Sequence, residues 1–306
     1  MQNNTSVDFF YIKAFFSDQE DNPFITSVFF FIYLIGLLAN SAIIIAICSN
    51  PHLHSALYLF LCNLSFVDIC YTTVTVPNLL AMLISSNNKI YFPQCFTQMF
   101  FLLFVASNED MLLTAMAYDR FVAICKPLHY HHILCRENCI LLMTGILVAS
   151  CLNALLFISS ALNMSFCYSN TIHKFFCDPK ALAEISCRGT ELFYIVVVLE
   201  ICILGFGPFL CSVMSYAKII SIILRMKTND GRRKAFSTCS SHLIVITMYY
   251  GTAASVYIKP PSNHTDVLDL VFTVLFATVT PVLNPLIYSL QNKDIKSAIK
   301  RLFRVI

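Results

Sequence analysis

Seven long apolar stretches, separated by shorter polar segments, dominate the sequence. A helix needs about 20 apolar residues to cross the roughly 30 Å hydrocarbon core of a bilayer, and every stretch reaches that length. The stretches are too long, and alternate too little in polarity, to be strands of a membrane barrel. We therefore predict an all-α membrane protein with a seven-transmembrane helix bundle. The predicted first to seventh spans are 24–48, 56–84, 98–124, 140–162, 192–224, 236–258 and 267–290.

The spans divide the chain into an N-terminal segment 1–23, a seven-span domain 24–290 and a C-terminal segment 291–306. The C-terminal segment is predicted to form an amphipathic helix on the membrane surface, because its apolar and basic side chains fall on opposite faces. The apolar face comprises Ile295, Ile299, Leu302 and Phe303, and the basic face comprises Lys296, Lys300 and Arg301. Residues 1–22 hold four acids and one lysine, unlike a cleavable signal peptide, so the first span is expected to target the chain.

Composition and charge agree with this prediction. Hydrophobic residues make up 58% of the chain and charged residues 12%, and the mean hydropathy is +0.72. One side of the predicted spans carries 14 Lys and Arg residues and the other side six. Because the cytoplasmic side of membrane proteins holds the excess of basic residues, we predict an extracellular N-terminus and a cytoplasmic C-terminus. The excess of basic residues on the cytoplasmic side accounts for the net charge of +3, which therefore does not support a nucleic-acid partner. Asn3 and Asn4, in Asn-x-Ser/Thr sequences, are candidate glycosylation sites.

Four of the 14 cysteines lie on the extracellular side of the predicted spans. Cys95 precedes the third span, and Cys167, Cys177 and Cys187 lie between the fourth and fifth spans. An oxidising exterior favours two disulfides among them, and four cysteines allow three pairings, among which the sequence does not choose. A bridge to Cys95 would hold the long loop over the bundle as a lid. A metal site is the less favoured alternative, because no Cys-x-x-Cys pair or set of histidines accompanies them.

Four carboxylates lie well inside predicted spans, away from the span ends: Asp68, Glu109, Asp110 and Glu200. A charge at the centre of a bilayer costs about 2.5 to 3.5 kcal/mol, so these side chains are expected to face the bundle interior. Glu109 and Arg120 lie on one face of the third span, 11 residues or about 16 Å apart. Asp110 is turned about 100° away from that face, and its partner is not evident.

Polar residues also occur at mid-depth in other spans. Asn40, Asp68 and Asn284 lie in the first, second and seventh spans and predict one hydrogen-bonded cluster centred on Asp68. Pro281 and Pro285 each remove a backbone donor, so the seventh span is predicted to be locally irregular. Asp119 and Arg120 end the third span, and taken alone they are typical of a surface ion pair.

Several motifs together resemble rhodopsin-like G-protein-coupled receptors: Asn40, Asp68, Asp119-Arg120, Pro208 with Tyr216, and the segment NPLIY at 284–288. Longer motifs resemble vertebrate olfactory receptors within that superfamily. These motifs are LSFVDICY at 64–71, MAYDRFVAICKPLHY at 116–130, KAFSTCSSH at 234–242 and PVLNPLIYSLQN at 281–292. The resemblance extends over nearly the whole chain.

This resemblance implies a plasma-membrane receptor for small volatile odorants that activates a stimulatory heterotrimeric G protein and raises cyclic AMP. It implies disulfides Cys95–Cys177 and Cys167–Cys187 and no cofactor, with a sodium ion near Asp68 and Glu109 as the one candidate. The implied odorant-facing residues are Leu102, Leu103, Ala106, Ser107, Ile201, Leu204, Tyr250 and Tyr257, to which the position of Glu200 adds a further candidate. The implied residues of activation and G-protein coupling are Asp119, Arg120, Tyr216, Asn284, Pro285 and Tyr288.

The chain departs from the resemblance at a few positions. Phe121 follows the arginine where tyrosine is common, Gln291 stands where arginine is typical, and the segment 53–58 lacks the usual proline and methionine. Asp110 and Glu200 are acids at positions that are usually uncharged. Glu200 therefore suggests a ligand that is an amine or another hydrogen-bond donor.

Other functions are less consistent with the sequence. A receptor for a non-odorant metabolite or amine is the nearest alternative, although Leu102 stands where amine receptors usually keep an acid. A transporter or channel would be expected to show internal repeats, and we find none. The histidines near Cys135 lack the helical spacing of a metal hydrolase, so no enzymatic activity is predicted. The seventh span has no lysine to bind retinal.

Overall fold

The computed structural model describes residues 8–13, 22–53, 55–85, 87–167, 169–226, 228–257 and 267–305. All seven predicted spans are helical, which confirms the all-α class. The helices are α1 (Asn22–Cys48), α2 (Ala56–Ser85), α3 (Phe92–Cys125), α4 (Tyr130–Ile133), α5 (Arg136–Ala161), α6 (Pro179–Glu184), α7 (Thr190–Glu200), α8 (Gly207–Arg225), α9 (Asn229–Tyr257), α10 (Val267–Val274), α11 (Thr280–Gln291) and α12 (Lys293–Val305).

Two of the spans are interrupted by π-helical turns. The turn Ile201–Phe206 joins α7 to α8 in the fifth span, and the turn Leu275–Val279 joins α10 to α11 in the seventh. The irregular seventh span was predicted from its prolines. The turn in the fifth span was not, although Pro208 lies just after it. The first, second, third, fourth and sixth spans are α1, α2, α3, α5 and α9.

Six spans in the described part of the chain are long and apolar enough to cross a membrane. The sixth span, α9, is the remaining one, and its 29 residues reach about 43 Å. It begins seven residues before the predicted start. The prediction counted only the apolar stretch, whereas the first turns of the helix, 229–235, are mostly polar and charged. Water can satisfy such side chains, so the helix extends beyond the apolar stretch.

The third span lies at the centre of the bundle, where α3 packs against α2, α5, α8 and α9. It begins at Phe92, six residues earlier than predicted. Pro93 suits the first helical turn, and the side chain of Gln94 accepts a hydrogen bond from the backbone N–H of Tyr91 at 3.3 Å. Cys95 consequently lies inside the helix rather than before it.

Five short strands cover one end of the bundle. Strand β1 (Phe9–Ile12) pairs antiparallel with β2 (Lys89–Tyr91) and parallel with β4 (Thr171–Ile172). Strand β3 (Ser165–Phe166) pairs antiparallel with β5 (Ser186–Arg188). Phe10 and Ile12 of β1 are completely buried, so part of the N-terminal segment belongs to the folded structure, which the sequence analysis did not predict.

Both implied disulfides, Cys95–Cys177 and Cys167–Cys187, are present. The four cysteines are therefore not a metal site. Cys95–Cys177 attaches the long loop between α5 and α7 to α3. We name this end of the bundle the disulfide end and the opposite end, where Arg120 lies, the arginine end.

The C-terminal helix α12 has the predicted amphipathic arrangement. Ile295 is buried, whereas Lys296 and Lys300 are exposed. The hydroxyl of Tyr58 in α2 donates to Asp294 Oδ2 at 3.2 Å and so holds the start of α12 against the bundle. The side chain of Phe303, the fourth predicted apolar residue, lies outside the described part of the structure.

Close packing of the first and seventh spans gives a testable prediction. A Cβ added at Gly36 would lie 2.7 Å from Cγ2 of Val282, and valine has little freedom to move because it is branched at Cβ. We expect Gly36→Ala to destabilise the bundle by about 1–3 kcal/mol, measured as unfolding of the purified protein in detergent.

Gly145 provides the matched control, because a Cβ there would meet nothing within 4 Å. Gly145→Ala is expected to stabilise α5 by about 0.5–1 kcal/mol. Adding Val282→Ala to Gly36→Ala should recover part of the loss. Equal effects of the two alanines would contradict this account of the packing.

Candidate functional site

A buried polar cluster joins the second, third and seventh spans. The amide nitrogen of Asn284 lies 3.2 and 3.3 Å from the two carboxylate oxygens of Asp68 and 3.3 Å from Oε1 of Glu109. All three side chains are buried. One NH₂ group thus serves two carboxylates from two different helices, which brings together Asp68, Glu109 and Asn284 of the predicted residues.

Asn40 has a different role from the predicted one. Its amide nitrogen donates to the backbone oxygens of Gly36 at 3.1 Å and Pro281 at 3.2 Å, and the structure gives it no bond to Asp68. The oxygen of Pro281 would normally accept from the residue four positions on. That residue is Pro285, which has no N–H. Asn40 therefore satisfies a carbonyl that the seventh span cannot satisfy itself.

The oxygen atoms of the central cluster suit a small hard cation or a proton. Within the described ranges, the one salt bridge joins Asp119 to Arg120, so no basic side chain balances Asp68 and Glu109. The amide oxygens of Asn40 and Asn284 are buried without a hydrogen-bond partner among the described residues. Hard cations such as sodium prefer oxygen ligands of this kind. Asp68 and Glu109 are the residues that would hold such an ion.

Asp110 has a partner on the sixth span that the sequence did not identify. The hydroxyl of Tyr250 donates to Asp110 Oδ1 at 2.6 Å. The ring of Tyr250 also packs edge-on against Phe209 of α8, with 5.1 Å between centroids. This contact joins the third, fifth and sixth spans at one point. Tyr250 was predicted to face a ligand, and in the structure it lies where three helices pack together.

A third polar contact joins the third, fourth and fifth spans. The amide nitrogen of Asn153 donates to the hydroxyl of Ser107 at 2.8 Å and to Glu200 Oε1 at 3.4 Å. Ser107 and Glu200 were both predicted to face the ligand, and the structure brings them to the same side chain. Asn153 was not predicted as a site residue, because a single asparagine in an apolar stretch is as typical of an ordinary packing contact between helices as of a ligand site.

The remaining predicted ligand residues differ in their surroundings. Leu102 and Leu103 are buried, and Ala106 and Leu204 are partly buried. The side chain of Ile201 is 47% exposed, and its neighbours Val198 and Ile203 are exposed as well. This exposure does not support its predicted position in an enclosed pocket. Ile201 begins the π-helical turn, and its place among the ligand residues was implied by the resemblance alone. The side chain of Tyr257 lies outside the described part of the structure.

The long loop closes the disulfide end. Phe175 and Phe176 are almost completely buried and belong to the same apolar cluster as Leu102 and Tyr249. The backbone N–H of Cys177 donates to the side-chain oxygen of Gln98 at 3.0 Å. The predicted lid is thus an apolar plug that fills the space between the helices.

The arginine end holds a compact ionic contact. Asp119 is completely buried, and Arg120 donates to Asp119 Oδ2 through Nε at 2.8 Å and also through Nη2. The hydroxyl of Tyr130 donates to the other carboxylate oxygen at 2.8 Å. Burial, followed by the neighbouring carboxylate, raises the pKa of Tyr130, which keeps it protonated as a donor. Asp119 and Arg120 are therefore not the surface ion pair that they resemble in isolation.

Tyr216 and Tyr288 approach one histidine that the sequence analysis did not single out. The hydroxyl of Tyr216 lies 2.7 Å from Nδ1 of His242, and the rings of His242 and Tyr288 are 6.5 Å apart. His242 is buried in α9. The fifth, sixth and seventh spans thus meet at an aromatic contact, and Pro285 lies buried one turn before Tyr288.

A crystal structure of squid rhodopsin superimposes on the chain with a TM-score of 0.75, covering 94% of this chain and 86% of that one. The sequence identity is 15%, so this similarity supports the seven-span fold alone. Rat olfactory receptor 1f45 is 40% identical over 299 residues, which cover 98% of this chain and 96% of that protein. Human olfactory receptor 7A10 is 42% identical over 302 residues, which cover 99% and 98%.

A family model described as olfactory receptor matches residues 29–305, nearly the whole chain. The matched residues extend from the first span to α12 and include every residue of α3 that makes the polar contacts described above. It also confirms that the chain is a receptor rather than an enzyme. The chain belongs to the olfactory receptor family.

Proposed function

We propose that this protein binds small volatile odorants inside the helix bundle and activates a stimulatory heterotrimeric G protein, which raises cyclic AMP. The observation that carries the proposal is the series of polar contacts along α3. Glu109, Asp110 and Asp119 contact the seventh span, the sixth span and Arg120 in turn. A change at the disulfide end can therefore reach the arginine end through one helix.

The proposed ligand site lies beneath the plug, around Leu102, Leu103 and Ala106 on α3, with Tyr250 and Leu204 on neighbouring spans. These side chains are mostly apolar, so binding energy would come chiefly from burial, at about 25 cal/mol per Å². A small odorant has little area to bury, and its affinity would be modest. Ser107 and Glu200 supply the polar contacts that distinguish one ligand from another.

The proposed switch separates Arg120 from Asp119. A ligand shifts the helices only if it binds the active arrangement more tightly than the resting one. Contacts with Tyr250 would favour an outward movement of the sixth span at the arginine end. Arg120 would then face the G protein. Tyr216, Tyr288, Asn284 and Pro285 would support the movement, because they lie in the spans that must repack.

We further propose that the disulfide end is extracellular and the arginine end cytoplasmic in the plasma membrane. The excess of basic residues at the arginine end supports this orientation, as do the disulfides, which form in an oxidising compartment. Asn3 and Asn4, the proposed glycosylation sites, lie outside the described residues. The basic face of α12 would lie on membrane lipid at the inner surface.

A sodium ion or a proton at Asp68 and Glu109 is part of the proposal. Two carboxylates that share one amide donor repel each other, and a bound cation would remove that repulsion. Neutralising the pair would let the second, third and seventh spans stay packed in the resting arrangement.

A receptor for an amine is the second candidate function, and Glu200 is the observation that favours it. Within the described part of the chain, no basic side chain contacts this carboxylate, and its one hydrogen bond is the 3.4 Å contact from Asn153. A protonated amine would supply both the missing charge and a shorter hydrogen bond.

The coupling proposal is tested with a cyclic AMP assay in transfected cells exposed to a chemically diverse odorant panel. Arg120→Ala is expected to abolish the response at unchanged surface expression, because it removes the group that would contact the G protein. Asp119→Asn should raise the ligand-independent signal, since it weakens the contact that holds Arg120.

Arg136→Ala is the control for that assay, because Arg136 is an exposed base at the start of α5. It should respond as the parent does. A normal odorant response in Arg120→Ala would refute the proposed switch, and a response only to hormones or metabolites would refute the odorant assignment.

Glu200→Gln tests the ligand class. Hydrogen bonds to charged groups contribute about 1.5–3 kcal/mol, so the concentration of an amine needed for half-maximal response should rise at least about tenfold. Neutral apolar odorants should be little affected. Glu191→Gln, which replaces an exposed acid in the first turn of α7, should change neither response. If Glu200→Gln responded to the same ligands at the same concentrations as the parent, the proposal of an amine ligand would be contradicted.

The ion proposal is tested by unfolding the purified receptor in sodium chloride and in choline chloride of equal ionic strength. At a sodium concentration of about ten times Kd, the folded state should gain about 1.4 kcal/mol. Glu109→Gln should remove most of the gain, and Glu191→Gln should retain it. Equal unfolding in the two salts would argue against a bound sodium ion.

A further inference from the structure

A groove of about 510 Å³ lies between α3, α5 and α8 in the half of the bundle nearer the arginine end. We call it the lateral groove, because its walls include side chains exposed on the outside of the bundle, such as Leu142, Cys211 and Met214. It does not include any residue of the proposed odorant site. Its surroundings are hydrocarbon rather than water in a membrane-spanning bundle.

The length of the lateral groove matches one leaflet. On α3 it extends from Met111 to Phe121, ten residues or about 15 Å along the helix. That distance is half of the roughly 30 Å hydrocarbon core. The groove can therefore hold an acyl chain along its length, with the headgroup of the same lipid at the end near Phe121.

Positive charge gathers at that end. Lys218 is the one charged residue among those that line the groove, and its Nζ lies 5.7 Å from the centre of the Phe121 ring. Nζ of Lys126 lies 6.0 Å from the same ring. Both lysines are exposed, and neither takes part in the single salt bridge found among the described residues.

Two ammonium groups that approach one aromatic ring repel each other, and an anion within reach of both would remove the repulsion. The apolar length of the groove and the charge at its end together describe an amphipathic anion. In the bilayer, such a molecule is an anionic phospholipid of the leaflet at the arginine end, which is the inner leaflet in the proposed orientation. That leaflet carries the anionic lipids of the plasma membrane.

We propose that the lateral groove binds an anionic phospholipid, with an acyl chain between α3, α5 and α8 and the phosphate in contact with Lys126 and Lys218. The site is separate from the odorant site and needs no ligand there. The groove wall contains Thr114, whose hydroxyl lies 3.5 Å from that of Ser212 on α8. A lipid in the groove would therefore contact the packing of α8 against α3.

Two native cysteines allow a direct test. Cys211 is exposed and lines the groove, whereas Cys202 is exposed on the same span, nine residues earlier, and does not line it. The purified full-length receptor is placed in nanodiscs of phosphatidylcholine, or of phosphatidylcholine with one third phosphatidylserine. Labelling of each cysteine by N-ethylmaleimide, an uncharged reagent, is followed by peptide mass spectrometry.

Phosphatidylserine is expected to slow labelling of Cys211 several-fold and to leave Cys202 unchanged. The double variant Lys126→Gln/Lys218→Gln should lose the difference between the two lipid mixtures. The matched variant Lys296→Gln/Lys300→Gln, which removes two exposed charges of α12, should keep it.

Several results would overturn the proposal. Equal labelling of Cys211 in both lipids would mean that acyl chains fill the groove without preference for an anionic headgroup. Equal slowing of Cys202 would indicate a general effect of the charged surface. Protection that survives the loss of Lys126 and Lys218, or that inorganic phosphate reproduces without phosphatidylserine, would assign the effect to something other than the proposed lipid.

Discussion

Polar side chains inside the bilayer must be satisfied by one another, and the rest of this structure depends on that constraint. A single carboxylate at mid-membrane costs about 2.5 to 3.5 kcal/mol, and this chain buries several. Each acid of the central region bonds to a side chain from another helix: Asn284, Tyr250 or Asn153. The helices are therefore held by a few directional contacts in an otherwise uniform apolar interior.

The third span contributes one side chain to each of these three clusters, Glu109, Asp110 and Ser107, because its central position brings it against four other spans. Glu109, Asp110 and Ser107 point toward three different pairs of neighbours. Each of these contacts is a hydrogen bond, which can break and re-form with a different partner. Apolar packing does not offer such distinct alternative pairings. A helix with such contacts can change its neighbours in discrete steps, which is what a receptor needs in order to have two states.

The spans could be predicted from the sequence because hydropathy is a local property. The contact of Asp68 with Asn284 could also be predicted, but the partner of Asp110 could not, because Asp110 and Tyr250 are 140 residues apart and many tyrosines were available. Asn153 gave no signal that separated it from an ordinary packing residue. The exposure of Ile201 occurs at the π-helical turn, a local change of helical register that the apolar pattern of the fifth span does not predict. Strand β1 is only four residues long, too short for its pattern to be recognised.

The plug formed by Phe175 and Phe176 has a consequence for the kinetics of odorant detection. Because the two rings are packed among the helices, a ligand that reached the proposed site from the aqueous phase would have to wait for the loop to open. Association would then be limited by that opening rather than by diffusion. Volatile molecules also partition into hydrocarbon, and their concentration in the bilayer would become the effective dose.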